Sequence, residues 1–189
     1  MQFTGERPTI DHEIEGSQAR YRSVIPFCSG NNVLDVGCGI GHGSNLLANY
    51  ACKVTGYDVC AEAITEAMER YKRPNLSFSC SNLDMLIQTH ELICMIESIE
   101  HFEHSEALAF IKKIAEYTRP IVGTTPNGIL FPYHPMNPGE YRGYHKWHFT
   151  LDELTGVLKD FYPFYEVYGH MYDPRINQFT SYTFYGTFI

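Results

Sequence analysis

The feature that most constrains this chain is a short apolar run that leads into three closely spaced glycines. The segment reads Val33-Leu34-Asp35-Val36-Gly37-Cys38-Gly39-Ile40-Gly41. Its first four residues predict a buried strand, and the glycines allow a sharp turn in which no Cβ holds a ligand away from the backbone. The turn opens a helix, whose N-terminal amides can face a nucleotide-like or carboxylate group. The pattern predicts a strand–turn–helix unit that binds such a ligand, or a turn of the same shape with none.

Two acidic side chains refine the kind of ligand. Asp35 stands two residues before the first glycine, where dinucleotide-binding folds with a Gly-x-Gly-x-x-Gly pattern usually have an apolar residue. An acid at that place suits the cationic amino-acid end of a ligand better than a pyrophosphate. Asp58 ends the next predicted strand, nineteen residues after Gly39, where it can accept both hydroxyls of an adenosine ribose.

The rest of the chain alternates short apolar runs with helical patterns, which is typical of a βαβ sheet. Five runs predict strands, at residues 33–36, 53–57, 76–80, 92–96 and 121–125. Apolar residues at helical spacing predict helices around 46–50, 64–71, 107–115 and 151–161, the last with Thr150 and Glu153 as a capping box. Two β-rich stretches, 162–169 and 179–189, close the sequence. A length of 189 residues corresponds to one ordinary domain.

Composition limits the function classes. Acidic residues outnumber basic ones 22 to 14, for a net charge of −8, which disfavours a general electrostatic grip on nucleic acid. The longest apolar run, 92–96, is far shorter than a membrane span, and the first residues show no signal-peptide pattern. The six cysteines include no Cys-x-x-Cys pair, which disfavours a zinc ribbon or a thioredoxin-type site. We therefore predict a cytoplasmic protein with free thiols and no membrane span.

The glycine motif carries a family resemblance. The residues from Val33 to Gly41 resemble motif I of the class I S-adenosylmethionine-dependent methyltransferases, and Gly56-Tyr57-Asp58 resembles the acidic second motif of that family. The resemblance covers almost the whole chain. It implies a single-domain, Rossmann-like α/β fold with a seven-stranded sheet, the last strand antiparallel, and helices on both faces. It also implies S-adenosylmethionine as the cofactor and S-adenosylhomocysteine as the product.

The resemblance also assigns the cofactor-binding residues. These are Asp35, Gly37, Gly39, Gly41, Asp58, Asn82 and Leu83. Asn82 stands where the family often has an acid that contacts adenine, and its side-chain carbonyl can still accept the adenine amino group. The sequence departs from the family pattern at Glu91, where an Asp is commoner, and at 117–120, which replace the usual glycine-rich turn before the fifth strand.

A second polar cluster follows the fourth predicted strand. The segment reads Glu97-Ser98-Ile99-Glu100-His101, and if a helix starts there, Glu97 and His101 share a face. His145 and His148 come later, just before the helix at Thr150. A similar Glu-x-x-Glu-His occurs in small methyltransferases that act on quinone precursors, lipids or glycan-linked substrates. Small-RNA 2′-O-methyltransferases share it together with a later His, and use these residues to bind a divalent metal.

Three interpretations of these residues remain open. In the first, Glu97, Glu100, His101 and His145 hold a divalent metal that lowers the pKa of a substrate hydroxyl. In the second, His101 or His145 is a general base without a metal. In the third, Glu100 and His101 only cap and brace a helix. Because ligands of such sheets bind at the carboxyl ends of the strands, we predict that Glu97, His101 and His145 converge there as catalytic residues beside the transferable methyl group.

These patterns predict methyl transfer from S-adenosylmethionine to a hydroxyl of a small-molecule, lipid or glycan-type acceptor, with nucleic acid disfavoured. The alternatives are a metal-dependent RNA 2′-O-methyltransferase and a non-catalytic S-adenosylmethionine-binding subunit. Residues 126–149 are predicted to form a substrate loop, because a stretch this long with so many prolines is usually functional. Residues 1–30 are predicted to form an N-terminal lid. His42 either contacts the cofactor or lies exposed at the surface.

Overall fold

The computed structural model describes residues 11–130 and 144–189, with side chains from Ser17 onward. Residues 1–10 of the predicted lid and 131–143 of the predicted substrate loop lie outside the described residues. The chain divides into two compact units, Met1–Ile96 and Glu97–Ile189.

The N-terminal unit alternates helices and strands. Its helices are α1 (Asp11–Cys28), α2 (His42–Leu47), α3 (Ala61–Arg70) and α4 (Leu83–Thr89). Its strands are β1 (Asn32–Val36), β2 (Lys53–Tyr57), β3 (Leu76–Ser79) and β4 (Leu92–Ile96). β1 pairs in parallel with β2 and with β4, and β2 pairs in parallel with β3. The carboxyl ends of these strands therefore lie along one edge of the sheet, where the loops that follow them can form a site.

The apolar runs of this unit form its core. Every residue of β4 is buried, as is typical of a central strand in a parallel sheet. α3 buries Ala63, Ile64 and Ala67, whereas Met68, which the helical pattern places on the same face, is 48% exposed. Tyr50, predicted to extend the stripe of α2, lies beyond the end of that helix and is also 48% exposed.

The C-terminal unit contains the remaining elements. A 3₁₀ turn (Ile99–His101) precedes α5 (His104–Glu116), and α6 is Leu151–Phe161. The strands are β5 (Ile121–Pro126), β6 (Phe164–Asp173) and β7 (Gln178–Thr187), with β7 antiparallel to both others. The predicted capping box of α6 is confirmed: the Glu153 amide donates to Thr150 Oγ1 at 3.2 Å, and the Thr150 amide donates to Glu153 Oε2 at 2.8 Å.

The strands form one seven-stranded sheet in the order β3-β2-β1-β4-β5-β7-β6. This order, with β7 as the antiparallel strand, confirms the predicted Rossmann-like α/β fold. Two helices, α1 and α4, were not predicted. Among the side chains of α1 that the structure describes, from Ser17 onward, Tyr21, Val24 and Cys28 are buried. α4 has seven residues, of which only Ile87 is buried. Among the helices of the described residues, none is long and apolar enough to cross a membrane.

Candidate active site

The glycine loop between β1 and α2 has the backbone conformation that its sequence predicts. Gly37, Gly39 and Gly41 have φ angles of 80°, 54° and 83°, in the left-handed region that favours glycine. A Cβ at Gly41 would lie 2.7 Å from the Phe78 ring and 2.8 Å from Ala67, so the loop packs closely on that side. A Cβ at Gly39 would meet no atom within 4 Å. The loop therefore has a packed side and an open side that a ligand can approach.

Asp35 lies at the end of β1 beneath this loop and is fully buried. Ser44 Oγ donates to its Oδ2 at 2.6 Å, and the Tyr21 hydroxyl lies 3.2 Å from each of its carboxylate oxygens. Burial raises the pKa of the Asp35 carboxyl to about 6; the hydrogen bonds from Ser44 and Tyr21 oppose this rise, and the charge of Asp58 adds to it. The carboxylate is thus held in place by two hydroxyl donors from α1 and α2.

Tyr21, in the N-terminal segment, contacts Asp35, and the sequence did not predict this contact. It is 3% exposed, and its ring packs so closely on Gly43 that a Cβ there would lie 1.9 Å from the ring. His42 packs edge-on against Tyr21, with ring centroids 5.8 Å apart, and its Nε2 lies 2.9 Å from Ser17 Oγ. His42 is buried and its pKa is lowered by that burial, so the alternative of an exposed His42 is wrong. The spacing of Tyr21, Val24 and Cys28 was the available signal for this helix face.

Asp58 follows β2 and closes the loop from the other side. Its Oδ2 accepts the Gly39 amide at 2.9 Å, and its Oδ1 accepts the Cys60 amide at 2.9 Å. Each carboxylate oxygen can accept a further hydrogen bond, so this geometry leaves acceptor capacity for a ligand hydroxyl. Asn82 and Leu83 follow β3: Asn82 is exposed with a φ of 59°, and Leu83 begins α4. Of the seven predicted cofactor-binding residues, Asp35 lies within β1. The other six lie in the loops that follow β1, β2 and β3 or, for Leu83, at the start of α4.

In the C-terminal unit, Glu100, His101 and His145 come together. One side-chain ligand atom from each lies within 4.8 Å of the other two. Glu100 is fully buried, His145 is 5% exposed and His101 is half-buried. Glu97 is not part of this group. Its φ of 48° and the short 3₁₀ turn that begins only at Ile99 mean that no α-helix starts at Glu97, so Glu97 and His101 do not share a helix face.

Backbone groups hold the cluster in place. The Glu100 carbonyl accepts the amides of Lys146 at 2.7 Å and Trp147 at 3.2 Å, which fixes the segment that carries His145. His101 Nδ1 lies 3.2 Å from the Tyr144 carbonyl oxygen. Because a carbonyl only accepts, Nδ1 of His101 carries a proton, and in the neutral ring the lone pair is then on Nε2.

The side chains of the cluster have further partners. Thr125 Oγ1 donates to Glu100 Oε2 at 3.3 Å. The rings of His101 and His145 meet edge to face at 4.9 Å, and His148 Nε2 lies 2.5 Å from His145 Nδ1. One carboxylate and two imidazoles are a donor set that suits divalent transition metals, and a neutral imidazole can also remove a proton. The cluster therefore fits either of the two functional interpretations.

Comparisons with known proteins agree with the fold and the glycine loop. The family model described as a methyltransferase domain matches residues 33–121. The methyltransferase domain of bacterial CtHen1-C has a TM-score of 0.68 at 24% identity, covering 91% of this chain and 98% of that one. Magnesium protoporphyrin IX methyltransferase from Synechocystis PCC 6803 has a TM-score of 0.65 at 16% identity, covering 97% and 90%. These findings support the resemblance of this chain to the class I S-adenosylmethionine-dependent methyltransferases.

Two relatives found by sequence have names that describe an activity. A probable S-adenosylmethionine-dependent methyltransferase of Mycobacterium tuberculosis is 29% identical over 172 residues, covering 85% of this chain and 60% of the relative. The ubiquinone biosynthesis O-methyltransferase of Coxiella burnetii is 31% identical over 114 residues, covering 58% and 48%. The chain thus spans about three fifths of the length of the mycobacterial relative and half that of the other.

Proposed function

We propose that this protein binds S-adenosylmethionine and transfers its methyl group to a hydroxyl oxygen of an acceptor. The observation that carries the proposal is the glycine loop, in which three left-handed glycines are closed by the Asp58 carboxylate. The name of the mycobacterial relative supports the cofactor, and that of the Coxiella relative supports oxygen as the methylated atom. The acceptor class that we propose is a small molecule, lipid or glycan.

Each cofactor-binding residue has a role that its geometry supports. The open side of the loop at Gly39 takes the cofactor, and Asp58, already fixed by two amides, accepts the ribose hydroxyls. Asn82 and Leu83 bind the adenine. Asp35 is buried beneath the loop, so it orients the loop and offers negative charge to the cationic amino-acid end of the cofactor.

The acceptor hydroxyl is proposed to bind at Glu100, His101 and His145. The sulfonium carbon is reactive without further activation, so the protein must align the acceptor oxygen, exclude water and take up the hydroxyl proton. The oxygen attacks the methyl carbon, the carbon–sulfur bond breaks with its electrons going to sulfur, and the proton passes to an imidazole nitrogen. His101 Nε2 carries a lone pair because Nδ1 is bonded to the Tyr144 carbonyl, so it can accept that proton.

A second candidate, metal-dependent 2′-O-methylation of an RNA end, is favoured by the same cluster. Three donors within 4.8 Å match the ligand types of a divalent cation, which would be held by Glu100, His101 and His145. Such an ion, when bound, lowers the pKa of the acceptor hydroxyl. Glu97 was predicted as a fourth metal ligand. It precedes the 3₁₀ turn that carries Glu100 and His101, and the group of three donors does not include it.

The experiment that tests the proposal is a methyl-transfer screen with labelled S-adenosylmethionine. Small phenols, lipids, glycans and RNA 3′ ends serve as acceptors, each with and without added Mg²⁺ or Mn²⁺ and with EDTA. We expect transfer to a hydroxyl acceptor, and a loss of roughly 10²–10⁴ in turnover for His101→Ala and His145→Ala. His90→Gln is the control, since this buried histidine pairs with Thr55 and the Leu86 carbonyl.

The outcomes of the screen separate the interpretations. Full transfer by both histidine variants would show that the cluster is only structural. Turnover that EDTA abolishes and Mn²⁺ restores would favour the metal site, and transfer confined to RNA ends would favour the second candidate. Cofactor binding without transfer to any acceptor would point to the non-catalytic subunit.

A further inference from the structure

His148 lies behind His145, on the side of its Nδ1. Both rings are buried, each 5% exposed, and His148 Nε2 lies 2.5 Å from His145 Nδ1. The ring centroids are 4.8 Å apart at an interplanar angle of 76°, so the contact runs through the nitrogen atoms and not through stacked faces.

The backbone that carries His148 is fixed. The Gly128 amide donates to the Phe149 carbonyl at 2.9 Å, and a Cβ at Gly128 would lie only 2.6 Å from the His148 carbonyl oxygen. Phe149 itself is fully buried. The amides of Lys146 and Trp147 are bound to the Glu100 carbonyl on the other side. Because the segment is held from two directions, the position of the His148 ring is determined by the fold.

Only one proton fits between the two facing nitrogens. If His145 Nδ1 donates it, His145 Nε2 carries a lone pair; if His148 Nε2 donates it, a neutral His145 has its proton on Nε2 and cannot bind a metal or accept a proton there. A free neutral imidazole carries its proton mainly on Nε2. The contact with His148 can therefore select the less common tautomer of His145, as the Tyr144 carbonyl does for His101.

We propose that His148 is a positioning residue that accepts the His145 Nδ1–H and so presents the Nε2 lone pair of His145 to the cluster with Glu100 and His101. The inference rests on the proposed function of that cluster. It gives the two histidines of the cluster the same tautomer, with the proton on an Nδ1 that is bonded to an acceptor and the lone pair on Nε2. Acceptors of this kind fix the orientation of an imidazole ring and increase the basicity of its other nitrogen.

The test is the tautomeric state of His145, measured by long-range ¹H–¹⁵N NMR of the ring nitrogens at alkaline pH, where the rings are neutral. Wild type, His148→Leu and His148→Gln are compared, with His90→Gln as the control for loss of another buried histidine. We expect the Nδ1–H tautomer in wild type and in His90→Gln. We expect the Nε2–H tautomer in His148→Leu, and a return toward Nδ1–H in His148→Gln, whose side-chain carbonyl can accept.

An Nε2–H tautomer of His145 in the wild type would overturn the proposal, as would the same tautomer in wild type and His148→Leu. The wild-type spectrum decides even if His148→Leu does not fold, which backbone amide dispersion reports. Methyl transfer is measured on the same samples, with an expected loss of about 10–100-fold in His148→Leu. Absence of transfer by the wild type would count against the proposed function, while the tautomer result would stand on its own.

Discussion

At the residue scale, Asp35 is a fully buried carboxylate whose side-chain hydrogen-bond donors, Tyr21 and Ser44, are both neutral hydroxyls. Tyr21 and Ser44 donate to it, yet burial still raises the pKa of the Asp35 carboxyl to about 6. Between pH 4 and 6 the folded protein therefore binds more protons at Asp35 than the unfolded chain does. Its ionised form opposes folding, and this cost is present in full above pH 6.

Asp35→Asn should remove a pH dependence of stability. In the wild type, the contribution of Asp35 to the free energy of unfolding should fall as pH rises from 4 to 6 and then stay level. The fall should be on the order of 3 kcal/mol, because the pKa is about 6 in the folded protein and 3.8 in the unfolded chain. The variant has no carboxyl to ionise at position 35. Urea unfolding at a series of pH values measures both slopes. Asp160→Asn, on the exposed side of α6, should keep the wild-type slope, and an unchanged slope in Asp35→Asn would contradict the assignment.

Asp58→Ala should weaken cofactor binding. The substitution removes the acceptor of the Gly39 and Cys60 amides and, in our proposal, of the ribose hydroxyls. Loss of these charge-assisted hydrogen bonds should cost about 1.5–3 kcal/mol, or roughly 10- to 150-fold in the dissociation constant of S-adenosylhomocysteine. Isothermal titration measures it, with Asp160→Ala as the matched control. Equal affinities of Asp58→Ala and wild type would remove Asp58 from the site.

At the element scale, the packing of α1 on the start of α2 depends on the absence of a side chain at Gly43. The Tyr21 ring occupies the place where a Cβ would be, and the same ring carries the hydroxyl that binds Asp35. Any side chain at position 43 must move α1 or break that hydrogen bond. The glycine loop and the N-terminal helix are thus coupled through one aromatic residue.

Two glycine-to-alanine substitutions in helices should have opposite effects. Gly43→Ala places a Cβ 1.9 Å from Tyr21 and should destabilise the protein by roughly 1–3 kcal/mol or more, with faster amide exchange in α1. Gly156→Ala in α6, where no atom lies within 4 Å of the new Cβ, should stabilise it by roughly 0.5–1 kcal/mol. Thermal unfolding and hydrogen exchange measure both. Equal effects of the two substitutions would mean that Tyr21 does not pack as described.

The elements that could be predicted from sequence are those that local signals define. The glycine loop, the runs of β2 and β4 and the Thr150 capping box each lie within a few residues, and each was predicted at or near its observed bounds. α1 and α4 lack a continuous apolar stripe in the sequence, and α4 buries only Ile87. The cluster depends on distant parts of the chain, so the sequence could nominate Glu100, His101 and His145 but could not show that Glu97 has a left-handed φ that prevents a helix.

At the scale of the whole molecule, the net charge of −8 should govern which large partners the protein can bind. Phosphate backbones attract proteins through Lys and Arg, and here acidic residues predominate. We therefore expect no tight, salt-sensitive binding to a DNA or RNA duplex at physiological salt. Fluorescence anisotropy with a labelled duplex over a range of salt concentrations measures it. Strong binding that weakens steeply with salt would contradict the proposed acceptor class.

Isothermal titration of the wild-type protein shows whether the glycine loop and Asp58 form an S-adenosylmethionine site. S-adenosylhomocysteine and NAD are titrated separately under the same conditions. We expect saturable binding of S-adenosylhomocysteine at one site per chain and no binding of NAD, because Asp35 stands where a dinucleotide site usually has an apolar residue. Binding of NAD without S-adenosylhomocysteine, or of neither ligand, would contradict this expectation.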